Sequence, residues 1–284
     1  MAYPVFVPGQ PGLIPDAWVI NPGGTGSAPP VVAVHGIRRA VEQMAHLLTP
    51  RAQETGRTIV LPHFDKTQWP RYQRAACAQR ADTALLNLVQ RLTVEGVMNP
   101  GPFDLSGFSG GAQFAHRFAW MYPSRVGRLC ATSPGWWTFP DAQAAWPYGT
   151  GTKPSRRSLQ SGWLQANLGR FLSREIVVSV GSNDITRDHN LRQGQFIDAQ
   201  QGRNRHERAQ NWVDAMRYAA RCLGVESNIC FTELKGQGHS FSRCVQRAHL
   251  DHLFVSPPNP CAGCQQRHAC SKSQFSKLLE RNAA

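Results

Sequence analysis

Short apolar runs alternate with longer amphipathic stretches along most of the chain. Val31-Val32-Ala33-Val34 is continuous and rich in valine, the pattern of a strand buried on both faces. Residues 58–61, 103–105, 128–132, 175–180 and 229–234 read the same way. Between these runs, apolar residues return at helical spacing. Val41, Met44, Ala45 and Leu48 form one such stripe, and Ala81, Leu85, Leu88 and Leu92 another. Ala112, Ala115 and Ala119 give a small-residue stripe, and Ala209, Trp212, Met216, Ala219 and Leu223 a longer one. A last helix is predicted to about Phe254. Ahead of all these, residues 3–7 and 18–20, separated by Pro/Gly turns, predict an antiparallel hairpin. Apolar strands alternating with helices predict an α/β fold with a mostly parallel central sheet and helices on both faces. Right-handed crossovers then bring the strand C-termini to one edge, where sites in such sheets form.

The rhythm breaks twice. Residues 136–173 hold Trp136, Trp137, Trp146 and Trp163 among prolines and glycines, and read as a cap-like insertion above the sheet. Residues 185–205 are polar and read as a long loop. Pro257-Pro258-Asn259-Pro260 opens a tail. The expected organisation is one catalytic domain over 1–256, followed by a cysteine-containing tail over 257–284.

The chemistry sits where the apolar runs stop. The run at 103–105 leads into Gly107-Phe108-Ser109-Gly110-Gly111, and a helical stretch follows to Tyr122-Pro123. This is G-x-S-x-G between a strand and a helix, the setting in which the motif presents a nucleophilic serine. The same pattern occurs by chance in glycine-rich chains, so its neighbours matter. The run at 175–180 ends in Gly181-Ser182-Asn183-Asp184, and the last run ends in Gly236-Gln237-Gly238-His239. Ser109, Asp184 and His239 therefore close three different strands. Asp188, four residues beyond Asp184, is an alternative acid.

The order Ser…Asp…His is that of the α/β-hydrolases. Over residues 3–255 the chain resembles that superfamily through Val34-His35-Gly36, the 107–111 elbow, Gly181-Ser182-Asn183-Asp184 and Gly238-His239-Ser240-Phe241. Through Tyr122-Pro123 and the surroundings of His239 it looks most like the polyhydroxybutyrate-depolymerase-like and feruloyl-esterase-like group. The resemblance implies a serine hydrolase cleaving carboxylic esters through an acyl-enzyme. Ser109 would be nucleophile, His239 general base and then acid, and Asp184 the group that orients the imidazole. The N–H groups of Gly110 and Ile37 would form the oxyanion hole. Trp136 and Trp137 are the candidate substrate-binding residues, with packing inside the insertion as the competing reading. His35 and His116 read as structural. A non-catalytic binding protein on this fold, or an amidase or acyltransferase with the same three residues, are the rival functions.

Composition changes this picture little. In 284 residues, 41% are hydrophobic and 17% charged, which suits a globular α/β domain. No apolar run is long enough to span a membrane. The N-terminus carries no visible secretory signal, so the expected location is cytoplasmic. The formal net charge is +13. Basic residues are spread along the chain without a nucleic-acid module, so a small-molecule ester is the expected partner and nucleic acid is not. Cys77, Cys130, Cys222, Cys230 and Cys244 sit in apolar contexts and read as free thiols. Cys261, Cys264, His268 and Cys270 offer soft ligands, but only one C-x-x-C pair is present. Free thiols, a disulfide or a zinc ion would all suit them, and none enters the reaction. No metal or organic cofactor is expected. The sequence carries no reading of oligomeric state.

Overall fold

The computed structural model describes residues 2–23, 28–151 and 159–256. The cysteine tail lies outside the described residues. The strands are β1 (Val5–Val7), β2 (Asp16–Ile20), β3 (Val31–Val34), β4 (Ile59–His63), β5 (Phe103–Phe108), β6 (Val126–Thr132), β7 (Glu175–Gly181) and β8 (Asn228–Leu234). They form one sheet in the order β1-β2-β4-β3-β5-β6-β7-β8. β1 and β2 pair antiparallel, as does β2 with β4, and the remaining pairs are parallel. The expected sheet class and opening hairpin are therefore present.

Helices cover both faces. α1 (Val41–Thr55), α7 (Phe241–Ala248) and α8 (Leu250–Val255) close one side. α2 (Ala81–Val94), α3 (Gly110–Met121), α4 (Leu159–Leu172) and α6 (Arg205–Cys222) close the other. The period of two along a strand separates the cores: Val32 and Val34 face one, Val31 and Ala33 the other. α3 lies against β5 and β6, and Ala112, Ala115 and Ala119 are buried as the close approach requires. Asn204 caps α6 by accepting from Glu207 N, while Glu207 Oε1 accepts from Asn204 Nδ2.

Four expectations are corrected. The second half of the predicted insertion is α4, the crossover helix between the parallel strands β6 and β7. Its Phe171 stacks on Trp120 with ring centroids 5.4 Å apart, and its Leu164 carbonyl accepts from Trp120 Nε1. The irregular part is therefore shorter than the sequence suggests. The 185–205 loop contains a helix, α5 (Gln195–Gln201), held between Gly194 and Gly202 at φ 143° and 112°. With one buried apolar side chain, Ile197, it has no stripe to reveal it. The last predicted helix is two, broken at His249 in the left-handed conformation. Finally, Cys230 is disulfide-bonded, whereas Cys77, Cys130, Cys222 and Cys244 are free. Cysteine spacing alone does not give connectivity.

Candidate active site

Ser109 sits between the end of β5 and the start of α3 at φ 55°, ψ −114°, a conformation L side chains seldom adopt. The glycines around it explain how the turn closes. A Cβ on Gly107 would lie 2.4 Å from the Gly111 carbonyl carbon, and one on Gly111 would lie 2.0 Å from the Val34 carbonyl oxygen. Neither position admits a side chain. The turn is also tied to the sheet, since Ser109 N donates to Thr132 O at 2.8 Å.

His239 follows β8 and reaches across β7 and β6 to the serine. Its Nε2 is 3.0 Å from Ser109 Oγ, and its Nδ1 is 2.7 Å from Asp184 Oδ2. Asp184 is buried, which removes water as a competitor for the imidazole. Its second oxygen lies 3.3 Å from Arg205 Nη1. Arg205, itself buried at the start of α6, also donates to both oxygens of Asp188, at 3.0 and 3.2 Å. Burial opposes the charge on Asp188. The hydrogen bonds and charge of Arg205, with the N–H groups of Asn190 and Leu191, outweigh it and hold the carboxyl below its ordinary range. Both candidate acids contact Arg205, and Asp184 alone also contacts the histidine.

The loop after β3 faces the start of α3. A Cβ on Gly110 would be 2.6 Å from Ile37 Cγ2 and 3.2 Å from the Ile37 nitrogen, so the two backbones are in close approach. As the first residue of α3, Gly110 has an N–H with no acceptor inside its helix. The Gly36 carbonyl accepts from His35 Nδ1 and from Arg39 N, both at 2.9 Å. In a trans peptide the Ile37 N–H points opposite to that carbonyl, so fixing one aims the other. His35 Nε2 accepts from Phe64 N, and Tyr72 Oη donates to His35 O. Burial is the main reason the His35 pKa falls to about 3, with the nearby His63 and Arg39 charges adding to it against the Gly36 hydrogen bond. His35 is a neutral brace for the loop.

A cleft of about 390 Å³ opens over Ser109 and His239. Its walls include Ile37, Ser109, His239, Phe108, Gln113 and Arg205. Trp136 and Trp137 are absent from the wall. Trp137 is fully buried and stacks on Trp212 with centroids 4.3 Å apart, and Trp136 packs on the Arg117 guanidinium at 4.1 Å. Trp136 also meets the Tyr148 ring, with centroids 4.9 Å apart, so the contacts of both residues favour packing within the fold over a substrate platform. Gln201 completes this by accepting from Trp137 N and donating to Trp137 O. His116 is likewise structural, bonded to Ala112 O and Thr138 N. The sequence reading missed Arg205 and Gln113. Gln113 lies one turn beyond Ser109 on α3, a signal that was available, while nothing local marks Arg205.

Among the described residues one group, His249, Asp251 and His252, has ligand atoms close enough to share a metal. Arg51 already occupies it, bonding to Asp251 Oδ2 and His252 Nε2. No helix among the described residues is long and apolar enough to cross a membrane.

The eight-stranded, mostly parallel sheet with helices on both faces is an α/β-hydrolase fold. The solved structures agree. One is poly(aspartic acid) hydrolase-1 from Sphingomonas sp. KT-1, at 19% identity and TM-score 0.73 over 89% of this chain and 98% of that one. Another is a poly(3-hydroxybutyrate) depolymerase from Bordetella parapertussis, at 22% identity and TM-score 0.71 over 93% and 87%. A siderophore hydrolase from Aspergillus nidulans aligns at 14% identity and TM-score 0.54 over 89% and 94%. No protein-family model and no curated protein sequence matches the chain.

Proposed function

We propose that the protein is a serine hydrolase that cleaves carboxylic esters through an acyl-enzyme. The observation that carries this reading is the continuous chain Ser109 Oγ–His239 Nε2 and His239 Nδ1–Asp184 Oδ2, at 3.0 and 2.7 Å, opening on one cleft. Serine alone is a poor nucleophile near neutral pH and needs a base within hydrogen-bond reach. Ser109 Oγ attacks the ester carbonyl carbon while its proton passes to His239 Nε2. The carbonyl oxygen becomes an oxyanion between the N–H groups of Ile37 and Gly110, each such donor contributing about 3 kcal/mol at the transition state. As the intermediate collapses, the C–O bond to the alcohol breaks and His239 returns the proton to the departing oxygen. Water then repeats the sequence on the acyl-enzyme, releasing the acid and restoring Ser109. Asp184 holds the imidazole in the tautomer with its proton on Nδ1.

The hydrolases and esterases of similar fold support the class of reaction and leave the substrate open. Labelling with a fluorophosphonate probe tests the proposal. Wild-type protein is expected to label and to turn over short activated esters, and Ser109→Ala and His239→Ala to do neither. A folded wild type that neither labels nor turns over any ester would overturn it.

A further inference from the structure

We propose that the Ser109 cleft accepts esters bearing a carboxylate, and that Arg38 receives that carboxylate. This rests on the hydrolase reading above and adds the substrate class. The cleft wall carries positive charge that is not cancelled. Arg38, Arg39 and Arg205 reach it, against a single carboxylate, Asp188. Asp188 and Arg205 are bonded to each other and cancel. Asp184 lies behind the wall, between His239 and Arg205, and its charge offsets one more, leaving a net excess of one positive charge.

Arg39 and Arg38 remain, and they differ. The Arg39 guanidinium donates to the carbonyls of Phe64, Ile37, Trp69 and Pro70 and lies 5.4 Å from the centre of the Tyr72 ring. Its position is fixed, and no acid among the described residues meets its charge. Arg38 is exposed and has no side-chain partner among the described residues. It directly follows Ile37, whose N–H is aimed at the reacting oxygen in the proposed mechanism. A free guanidinium there can turn its planar fork to a carboxylate and bind it with two parallel hydrogen bonds. The fixed charge of Arg39 adds a steady attraction. Phe108, Met44 and Ile37 form low-dielectric wall beside these charges, which concentrates their field within the cleft.

The test uses two matched pairs of esters. One pair carries the charge on the acyl side, the para-nitrophenyl monoester of glutaric acid against its terminal amide. The other carries it on the alcohol side, para-carboxyphenyl acetate against para-carbamoylphenyl acetate. In at least one pair the wild type is expected to show a kcat/KM about 10-fold higher for the anionic member at low salt. Added salt should shrink that ratio. Arg38→Gln should remove most of it and Arg38→Glu should invert it, with thermal midpoints unchanged because the side chain has nothing to release. Equal or better turnover of both neutral members overturns this inference and leaves the hydrolase reading standing. A preference that survives Arg38→Glu also overturns it. Fluorophosphonate labelling without turnover of either anionic ester does the same. Absence of both labelling and turnover removes the hydrolase reading and this inference together.

Discussion

On the β5–α3 side of the cleft the geometry is made by backbone: a serine in the left-handed region, glycines where a Cβ would strike carbonyls, and peptide N–H groups aimed by a neutral histidine. On the β7–β8 side it is made by charge: His239 on Asp184, Asp184 on Arg205, and Arg205 on Asp188. The first wall is held by sterics, so it responds to added atoms. The second is held by electrostatics, so it responds to lost charges. The two walls meet where His239 Nε2 approaches Ser109 Oγ and the Phe108 ring packs on His239 and Phe241.

The largest effect is expected from breaking the charged wall at its buried centre. Asp184→Asn keeps shape but offers His239 the wrong tautomer partner, and kcat on an activated ester should fall by about 10⁴. Asp188→Asn should lower kcat far less, because Asp188 touches Arg205 rather than the imidazole. Equal losses in the two variants would mean that the carboxylates share the role.

Adding one methyl group breaks the backbone wall. In Gly110→Ala the new Cβ would meet Ile37 Cγ2 at 2.6 Å and Tyr72 Oη at 2.8 Å. Spreading the two backbones should reduce kcat by about 10² to 10³, the range for loss of an oxyanion donor, with less change in KM. A variant as active as wild type would remove Gly110 and Ile37 from the oxyanion site.

Acid separates the walls more gently. His35 stays neutral when folded to about pH 3, while in the unfolded chain it takes a proton at its ordinary pKa. The unfolded state then binds more protons, so stability falls as pH drops from about 6.5 toward 3, by on the order of 3 kcal/mol at pH 4 from this residue. His116, also held neutral chiefly by burial, acts in the same direction. Against the effect of burial, Arg205 holds the Asp188 carboxyl below its ordinary range, so this pairing persists further into acid than that of an ordinary carboxylate. Denaturant midpoints at pH 7 and pH 4 check it: His35→Gln should narrow the gap between them. An unchanged gap would mean that His35 titrates normally in the folded protein.

The same contrast explains what was legible in the sequence. The turn of the backbone wall is encoded locally, in five consecutive residues, although the 34–37 loop packed on it is not. His239 and Asp184 were legible as the ends of apolar runs. Which aspartate faces the histidine was not, because Asp184 and Asp188 lie in one loop and Arg205 sorts them from the far end of a polar segment. Trp137 shows a related effect. An aromatic residue near a site suggests a platform, but the cover of Trp137 comes from Gln201 and Trp212, more than sixty residues away. α5 escaped notice because its docking uses glutamine amides rather than an apolar stripe.

Ser109 and His239, the proposed nucleophile and base, are 130 residues apart in the chain, and His239 follows the outermost parallel strand. During synthesis from the N-terminus, a ribosome-bound chain that has not yet released residue 239 holds Ser109 without His239. In the proposed mechanism such a chain gains reactivity toward esters only when β8 docks against β7 and brings His239 to Ser109.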